Sequence, residues 1–390
     1  MDESLALART LSYDELELEP FHRLPPDLWS EDFFVLGEDV EAYVDLQVHV
    51  LLAELGCPRG VGLADEARSA DMARVVGERR DSWHWLLARA AQSPWVLEAS
   101  TAEQGPQKLL AALRDRLLRQ YPTIDRALEM IDLAATIYPE FLRGGTTGDQ
   151  VLFRSERREM WERYFDNDNP TYGPINRLTS FAARSLLDDV DGRVPQVLEV
   201  GAGCGSASEA FLRTWKEHTF HYLVTDLSPT FLRMARERVE AIELAESASV
   251  KLRLLDLTQP VEDWCVQPGS FDAVIAINVL HALPCLSESL AHLRALLRPG
   301  GQLVLGECVR PGGERSPHAE FIFQLIDAFR DVQLEPPHRG RWGFLDGGSW
   351  RKIIEGAGFV DIRSVPDYDA AIASYPAHSL AAIIARNGVS

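Results

Sequence analysis

Three glycines at alternate positions, Gly201, Gly203 and Gly205, follow the apolar run Gln196-Val-Leu-Glu-Val200 and precede a helical pattern that starts near Ser206. Glycine has no β-carbon, so the backbone takes up positive φ and lets a ligand come close, while the next helix offers unpaired N–H groups. The following apolar run, His221-Tyr-Leu-Val-Thr-Asp226, ends in a carboxylate able to accept from both hydroxyls of an adenosine ribose. Two more reactive groups stand at strand ends. His281 closes the run that begins at Phe271, and Glu307 closes the run Gln302-Leu-Val-Leu-Gly-Glu307. Adjacent strand ends of an open α/β sheet face one cleft, where an imidazole can take a proton while a carboxylate orients the ring and stabilises its charged form.

These residues need a sheet to carry them. Further strand-like runs are Val250 to Leu257, with an acid at Asp256, and Phe271 to His281. A helix around Leu293-Arg-Ala-Leu-Leu-Arg is stopped by Pro299-Gly300-Gly301 before the strand that ends at Glu307. A dinucleotide fold would call for Gly-x-Gly-x-x-Gly in the first turn, and this turn reads Gly-x-Gly-x-Gly.

In this order and spacing the five motifs resemble class I S-adenosylmethionine-dependent methyltransferases, over roughly residues 165 to 388. The segment Tyr164-Phe-Asp-Asn-Asp-Asn-Pro-Thr-Tyr172-Gly-Pro-Ile-Asn176 is similar to the entry of polyketide synthase C-methyltransferase domains, and Tyr138 to Phe153 to the stretch before it. Tyr222 to Arg238, Asn278-Val-Leu-His281 and Trp350 to Phe359 extend the likeness. The family commonly carries Gly-Ala-Gly-Thr-Gly-Gly-Thr-Thr where this chain has Gly-Ala-Gly-Cys204-Gly-Ser206-Ala-Ser208, and the chain is expected to stand free of synthase modules.

The resemblance implies a Rossmann-like α/β sheet of seven strands, the last, near Ser379 to Arg386, antiparallel. It implies S-adenosylmethionine as donor, held by Glu199, Gly201, Ala202, Gly203, Gly205, Asp226, Leu227, Asp256, Leu257 and Asn278, with adenine near Asp256 and Leu257. It also implies a catalytic His281–Glu307 pair, with Tyr172 as a third member and Tyr164 competing for that place. A carbon acceptor needs such a base, because the proton α to a carbonyl must leave first. The expected reaction is methylation of a β-ketoacyl or malonyl-type substrate on an acyl carrier protein or as a small acyl molecule. The alternative is methylation of a hydroxyl or carboxylate oxygen. A mononuclear iron or manganese on His281, Glu307, His318 and Gln324 is a further alternative, since histidine and carboxylate suit such ions.

The remaining composition narrows the class. A net charge of −20 speaks against nucleic-acid substrates, whose phosphates require a basic surface. No run is apolar enough to span a bilayer, and the acidic start Met1-Asp-Glu lacks the basic patch of a signal peptide, so a cytoplasmic protein is expected. The five cysteines form no C-x-x-C pair, and Cys204 reads as a small buried thiol. Arg310, Arg315, His338, Arg339, Arg341, Arg351 and Lys352 read as solvated charges, or as a local patch for an acidic partner.

Residues 1–160 read as a mostly helical domain roofing the site, or as a dimerisation domain, and 161–390 as the core. Helical periodicity marks Asp39 to Glu54, Ser82 to Ala91 and Thr123 to Ala135, with breaks at Pro58 to Gly62 and Arg143 to Gly148. Trp83, Trp85, Trp161, Tyr164 and Phe165 read as core before substrate wall. Phe321 to Arg330 reads as one amphipathic helix whose aromatics pack.

Overall fold

The computed structural model describes residues 30–57, 66–93, 105–187, 192–259, 264, 266–311 and 315–388. Among the described residues seven α-helices come first: α1 (Glu31–Glu54), α2 (Glu66–Ala73), α3 (Arg80–Gln92), α4 (Pro106–Gln120), α5 (Asp125–Leu142), α6 (Gly148–Leu152) and α7 (Arg158–Tyr164). Their ends follow local chemistry. Ser30 caps α1 by accepting from the Phe33 N–H, Pro106 opens α4, and Thr147 with Gln150 forms a capping box at α6. The expected break at Arg143 to Gly148 is this turn between α5 and α6, while the one at Pro58 to Gly62 lies outside the described residues.

The second half runs α8 (Gly173–Ala182), β1 (Gln196–Val200), α9 (Ser206–Trp215), β2 (His221–Asp226), α10 (Pro229–Glu240), β3 (Ser249–Leu254), β4 (Phe271–Ile277), α11 (Leu286–Leu296) and β5 (Leu297–Cys308). Then follow α12 (Glu320–Phe323), α13 (Asp327–Arg330), α14 (Gly347–Gly356), β6 (Phe359–Val365), α15 (Tyr368–Ser374) and β7 (Leu380–Asn387). The sheet order is β3-β2-β1-β4-β5-β7-β6, with β7 antiparallel to both neighbours, as expected for the last strand. Strands β1, β4 and β7 are almost continuously buried because helices cover both faces, α8 and α9 on one and α11 and α14 on the other.

Three expectations change. Helix α11 stops at Leu296, and Pro299-Gly300-Gly301 forms a bulge inside β5, where pairing with β4 jumps from Phe271–Leu297 to Ala273–Gln302. The single helix at Phe321 to Arg330 is two short ones, α12 and α13, broken at Gln324 to Ile326. Arg310 and Arg339, read as solvated, are 3% and 1% exposed, so the basic run is not one surface patch.

The N-terminal helices share a core with the chain after β5. Trp83, Trp85 and Tyr138 cluster with Phe321, Leu325 and Phe344. A buried ionic seam fastens the same junction. Arg89 of α3 donates to Asp45 at 2.5 Å and Glu41 at 2.6 Å, both on α1, and to the Ser316 carbonyl. Glu41 also accepts from the His318 N–H at 2.8 Å, and Trp85 donates to Glu320 at 2.8 Å. Burial pushes the Glu41 carboxyl up, but Arg89 and His318 outweigh this and hold it well below the usual range. Arg89→Met should therefore cost about 3–5 kcal/mol, since it strands two buried carboxylates. Urea denaturation at neutral pH measures this, and a loss under about 1 kcal/mol would contradict the seam.

Candidate active site

The glycine turn between β1 and α9 has positive φ at Gly201, Gly203 and Gly205. Two of these are also crowded. A β-carbon on Gly201 would come within 2.4 Å of the Val279 side chain, and one on Gly205 within 2.6 Å of the Ala235 backbone. The turn is pinned to the end of β2: the Gly203 N–H donates to Asp226 Oδ2 at 2.8 Å, and the Ser228 N–H to Oδ1 at 2.7 Å. Burial raises the Asp226 pKa, and the N–H groups of Ser228, Gly203 and Leu227 oppose that rise. Each carboxylate oxygen still has a second lone pair for a ligand hydroxyl. Behind the turn, Glu199 is 1% exposed and accepts from Ser208 Oγ at 2.5 Å and the Tyr222 hydroxyl at 2.9 Å. Burial pushes its carboxyl up to about 7, despite those two donors.

Across from the turn stand the ends of β4 and β5. Strand β4 stops at Ile277, so His281 lies beyond the strand end expected for it, on a 3-10 turn, Leu280–Ala282. Asn278 makes the turn possible by adopting φ +52°, a conformation asparagine tolerates better than most residues. Its N–H donates to the Gly306 carbonyl at 2.7 Å, and its side-chain oxygen accepts from the Cys308 N–H at 2.9 Å. The turn is thereby tied to β5, and His281 Nδ1 lies 2.7 Å from Glu307 Oε2. Glu307 is fully buried and accepts the Leu280 N–H at 3.3 Å through its other oxygen. With Nδ1–H donated to the carboxylate, Nε2 keeps a lone pair.

A residue read as surface charge holds this turn from behind. Arg339 donates to the His281 carbonyl at 2.5 Å and to the Leu283 carbonyl at 2.9 Å. The ring of His281 packs 4.6 Å from Phe344 and 5.8 Å from Phe329, centroid to centroid.

These parts enclose a cavity of about 380 Å³. Of the expected donor-site residues, Gly201, Ala202, Gly203, Asp226 and Asn278 line it. Glu199, Gly205, Leu227, Asp256 and Leu257 do not. Leu227 is 65% exposed, Asp256 accepts from Thr258 and Gln259, and Leu257 packs beneath the sheet. His281, Tyr164 and Tyr172 line the other part, with Phe165, Phe323 and Phe329, so several aromatics read as packing also form cavity wall. Burial raises the phenol pKa of both tyrosines, with the hydrogen bonds of Asn278 and Ser206 opposing it at Tyr172. Cys204 lines the cavity too, its thiol pushed up to about 11 by burial, as suits an unreactive sulfur.

The metal alternative finds no support in this arrangement. His318 gives Nδ1 to Glu41 at 2.9 Å, Glu307 is taken up by His281, and Gln324 lies outside the cavity lining. Among the described residues, no three His, Cys, Asp or Glu side chains come together as a metal-holding group.

Comparison with known proteins adds family relations to this geometry. Residues 198–303 match the family model for a methyltransferase domain. Polyketide synthase PksR of Bacillus subtilis (strain 168) is 26% identical over 240 residues, 59% of this chain and 9% of that protein. Highly reducing polyketide synthase 40 of Fusarium pseudograminearum (strain CS3096) is 44% identical over 179 residues, 44% of this chain and 7% of that protein. The chain thus spans less than a tenth of the length of these relatives. The crystal structure of the CurJ carbon methyltransferase is 23% identical, with a TM-score of 0.71 over 91% of this chain and 93% of that one. That of the DszA carbon methyltransferase is 22% identical, with a TM-score of 0.71 over 94% and 96%. These structures share the fold.

Glu199 gives this site a pH signature. Its folded pKa is raised, so the folded chain holds a proton that the unfolded chain releases at lower pH. Its contribution to stability is present below the ordinary glutamate value and is lost as pH rises toward about 7, by about 3 kcal/mol in all. Glu199→Gln cannot titrate, so its stability relative to wild type should climb between pH 5 and pH 7.5. Urea midpoints of both proteins across that range test this, and a constant difference would refute it.

Proposed function

We propose that this chain, which carries an S-adenosylmethionine-dependent methyltransferase domain of class I fold, methylates the carbon α to a carbonyl of a β-ketoacyl or malonyl-type thioester presented by an acyl carrier protein. The supporting observation is His281, backed by buried Glu307, in the same cavity lining as the glycine turn and Asp226.

In this reading His281 Nε2 takes the α-proton of the acceptor. The electron pair left behind spreads onto the carbonyl oxygen as an enolate, and Glu307 offsets the positive charge of the imidazolium. Tyr172 supplies a hydroxyl toward the acceptor's carbonyl oxygen. The apolar walls, among them Phe323, Phe329 and Phe344, keep water from reprotonating the carbon. Gly201, Ala202, Gly203, Asp226 and Asn278 hold the donor, with the ribose on Asp226. When bound there, S-adenosylmethionine supplies a methyl group already activated by its sulfonium charge, so positioning carries much of the catalysis. Helices α1 to α6, in residues 1–160, roof the site over a catalytic core of residues 161–390. An ionised carboxylate acceptor is already nucleophilic and would give His281 no proton to remove.

Asp226→Ala should weaken S-adenosylmethionine binding at least about tenfold, since a charged acceptor contributes roughly 1.5–3 kcal/mol per hydrogen bond. Calorimetry on the folded variant measures it, and unchanged affinity means the donor lies elsewhere.

His281→Ala should bind donor normally and lose about 10²–10⁴-fold in rate, with Glu307→Gln losing less because an amide still orients the ring. Deuterium exchange at the acceptor's α-carbon, followed without methyl transfer, isolates the proton step. An enzyme that exchanges no α-proton, while His281→Ala keeps full activity on an oxygen acceptor, would replace this reading with oxygen methylation.

A further inference from the structure

A second, smaller cavity of about 50 Å³ adjoins the one described above and shares Thr171, His318, Ser379 and Leu380 with it. Phe34, Glu38 and Tyr375 continue its lining, and the Glu38 side chain is 48% exposed, so the two cavities together lead from the strand ends to the surface. At about 50 Å³ it is a constriction and not a second chamber.

His318 is fixed at the neck. Glu41 accepts its backbone N–H at 2.8 Å and lies 2.9 Å from its Nδ1, while Arg89 holds Glu41 from the other side at 2.6 Å. Both side chains of that ion pair are only 3% exposed, so the ring is oriented by a buried support contributed by α1 and α3. With Nδ1–H given to a carboxylate, the ring in its neutral form presents Nε2 as a hydrogen-bond acceptor. The partner of such a nitrogen is an N–H or O–H donor. A thioester on a carrier arm brings two amide N–H groups, both within the stretch next to the sulfur, where the chain is unbranched.

We propose that the neck takes the amide-bearing arm of a thioester-bound acceptor, and that His318 Nε2 accepts a hydrogen bond from an amide N–H of that arm. This rests on the thioester reading above. It makes His318 a residue that positions the acceptor and gives the N-terminal helices a direct part in acceptor recognition through Glu41.

Pantetheine, which carries the amides but no acyl group, is the probe, titrated into the full chain and followed by ligand-observed NMR. Wild type should bind it. His318→Leu, of similar bulk but without an acceptor, should weaken binding roughly fivefold, the equivalent of one net hydrogen bond, and His318→Gln should recover most of that through its side-chain oxygen. S-adenosylmethionine affinity should stay the same in both variants. In turnover, His318→Leu should raise KM for a pantetheine-borne acyl group and leave KM for the methyl thioester of the same acyl group unchanged. Absence of pantetheine binding to wild type, equal binding by His318→Leu, or a KM rise for both acceptors would overturn the proposal. Pantetheine binding requires no methyl transfer, so binding without carbon methylation would sink the proposed reaction, and carbon methylation without binding would sink this inference.

Discussion

A carboxylate sealed from water at the end of β5 constrains everything around it. Glu307 has no exposure, and a buried carboxylate without donors is expensive. Its donors, the Leu280 N–H and His281 Nδ1, both come from the turn after β4, and the turn reaches them only because Asn278 bends left-handed and ties itself to Gly306 and Cys308. Arg339 then clamps the turn through two carbonyls. One electrostatic requirement thus accounts for an unusual backbone angle, a buried arginine and the direction of an imidazole.

A second buried charge cluster joins the helical half to the core. Arg89, Glu41 and Asp45 come from N-terminal helices, while Ser316 and His318 come from the segment after β5. A well-packed apolar junction would hold two units together at least as well. What the charges add is direction, because His318 is oriented by a carboxylate from α1 at a point where two cavities meet.

Much of the candidate site was legible in the sequence because its signals are local. The glycine turn reads from alternate glycines after an apolar run, and Asp226, His281 and Glu307 read from their places at or just beyond strand ends. Strand order and the antiparallel final strand were legible only through the family resemblance, since hydrophobic periodicity cannot say which strands are neighbours. Arg339 was missed because an arginine in a polar, proline-rich stretch looks solvated, and its burial depends on carbonyls 56 and 58 positions away in the chain. The Glu41–His318 pair was missed for the same reason, its partners being 277 positions apart. The break between α12 and α13 was hidden by continuous apolar periodicity, which does not register how α5 and α6 press on that segment; a β-carbon at Gly148 would collide with the Leu325 backbone at 2.0 Å.

Glu307 and His281 differ in how they are anchored. Glu307 sits in a strand hydrogen-bonded on both sides, by β4 and β7, so releasing it means opening the middle of the sheet. His281 rides on a three-residue turn secured by a few hydrogen bonds. Local opening is far cheaper for such a turn than for a central strand. The carboxylate is therefore the stationary reference, and the bonds from Arg339 and Asn278 that hold the turn are what keep the imidazole against it. Loosening that turn would cost the ring its aim without any rearrangement of the sheet.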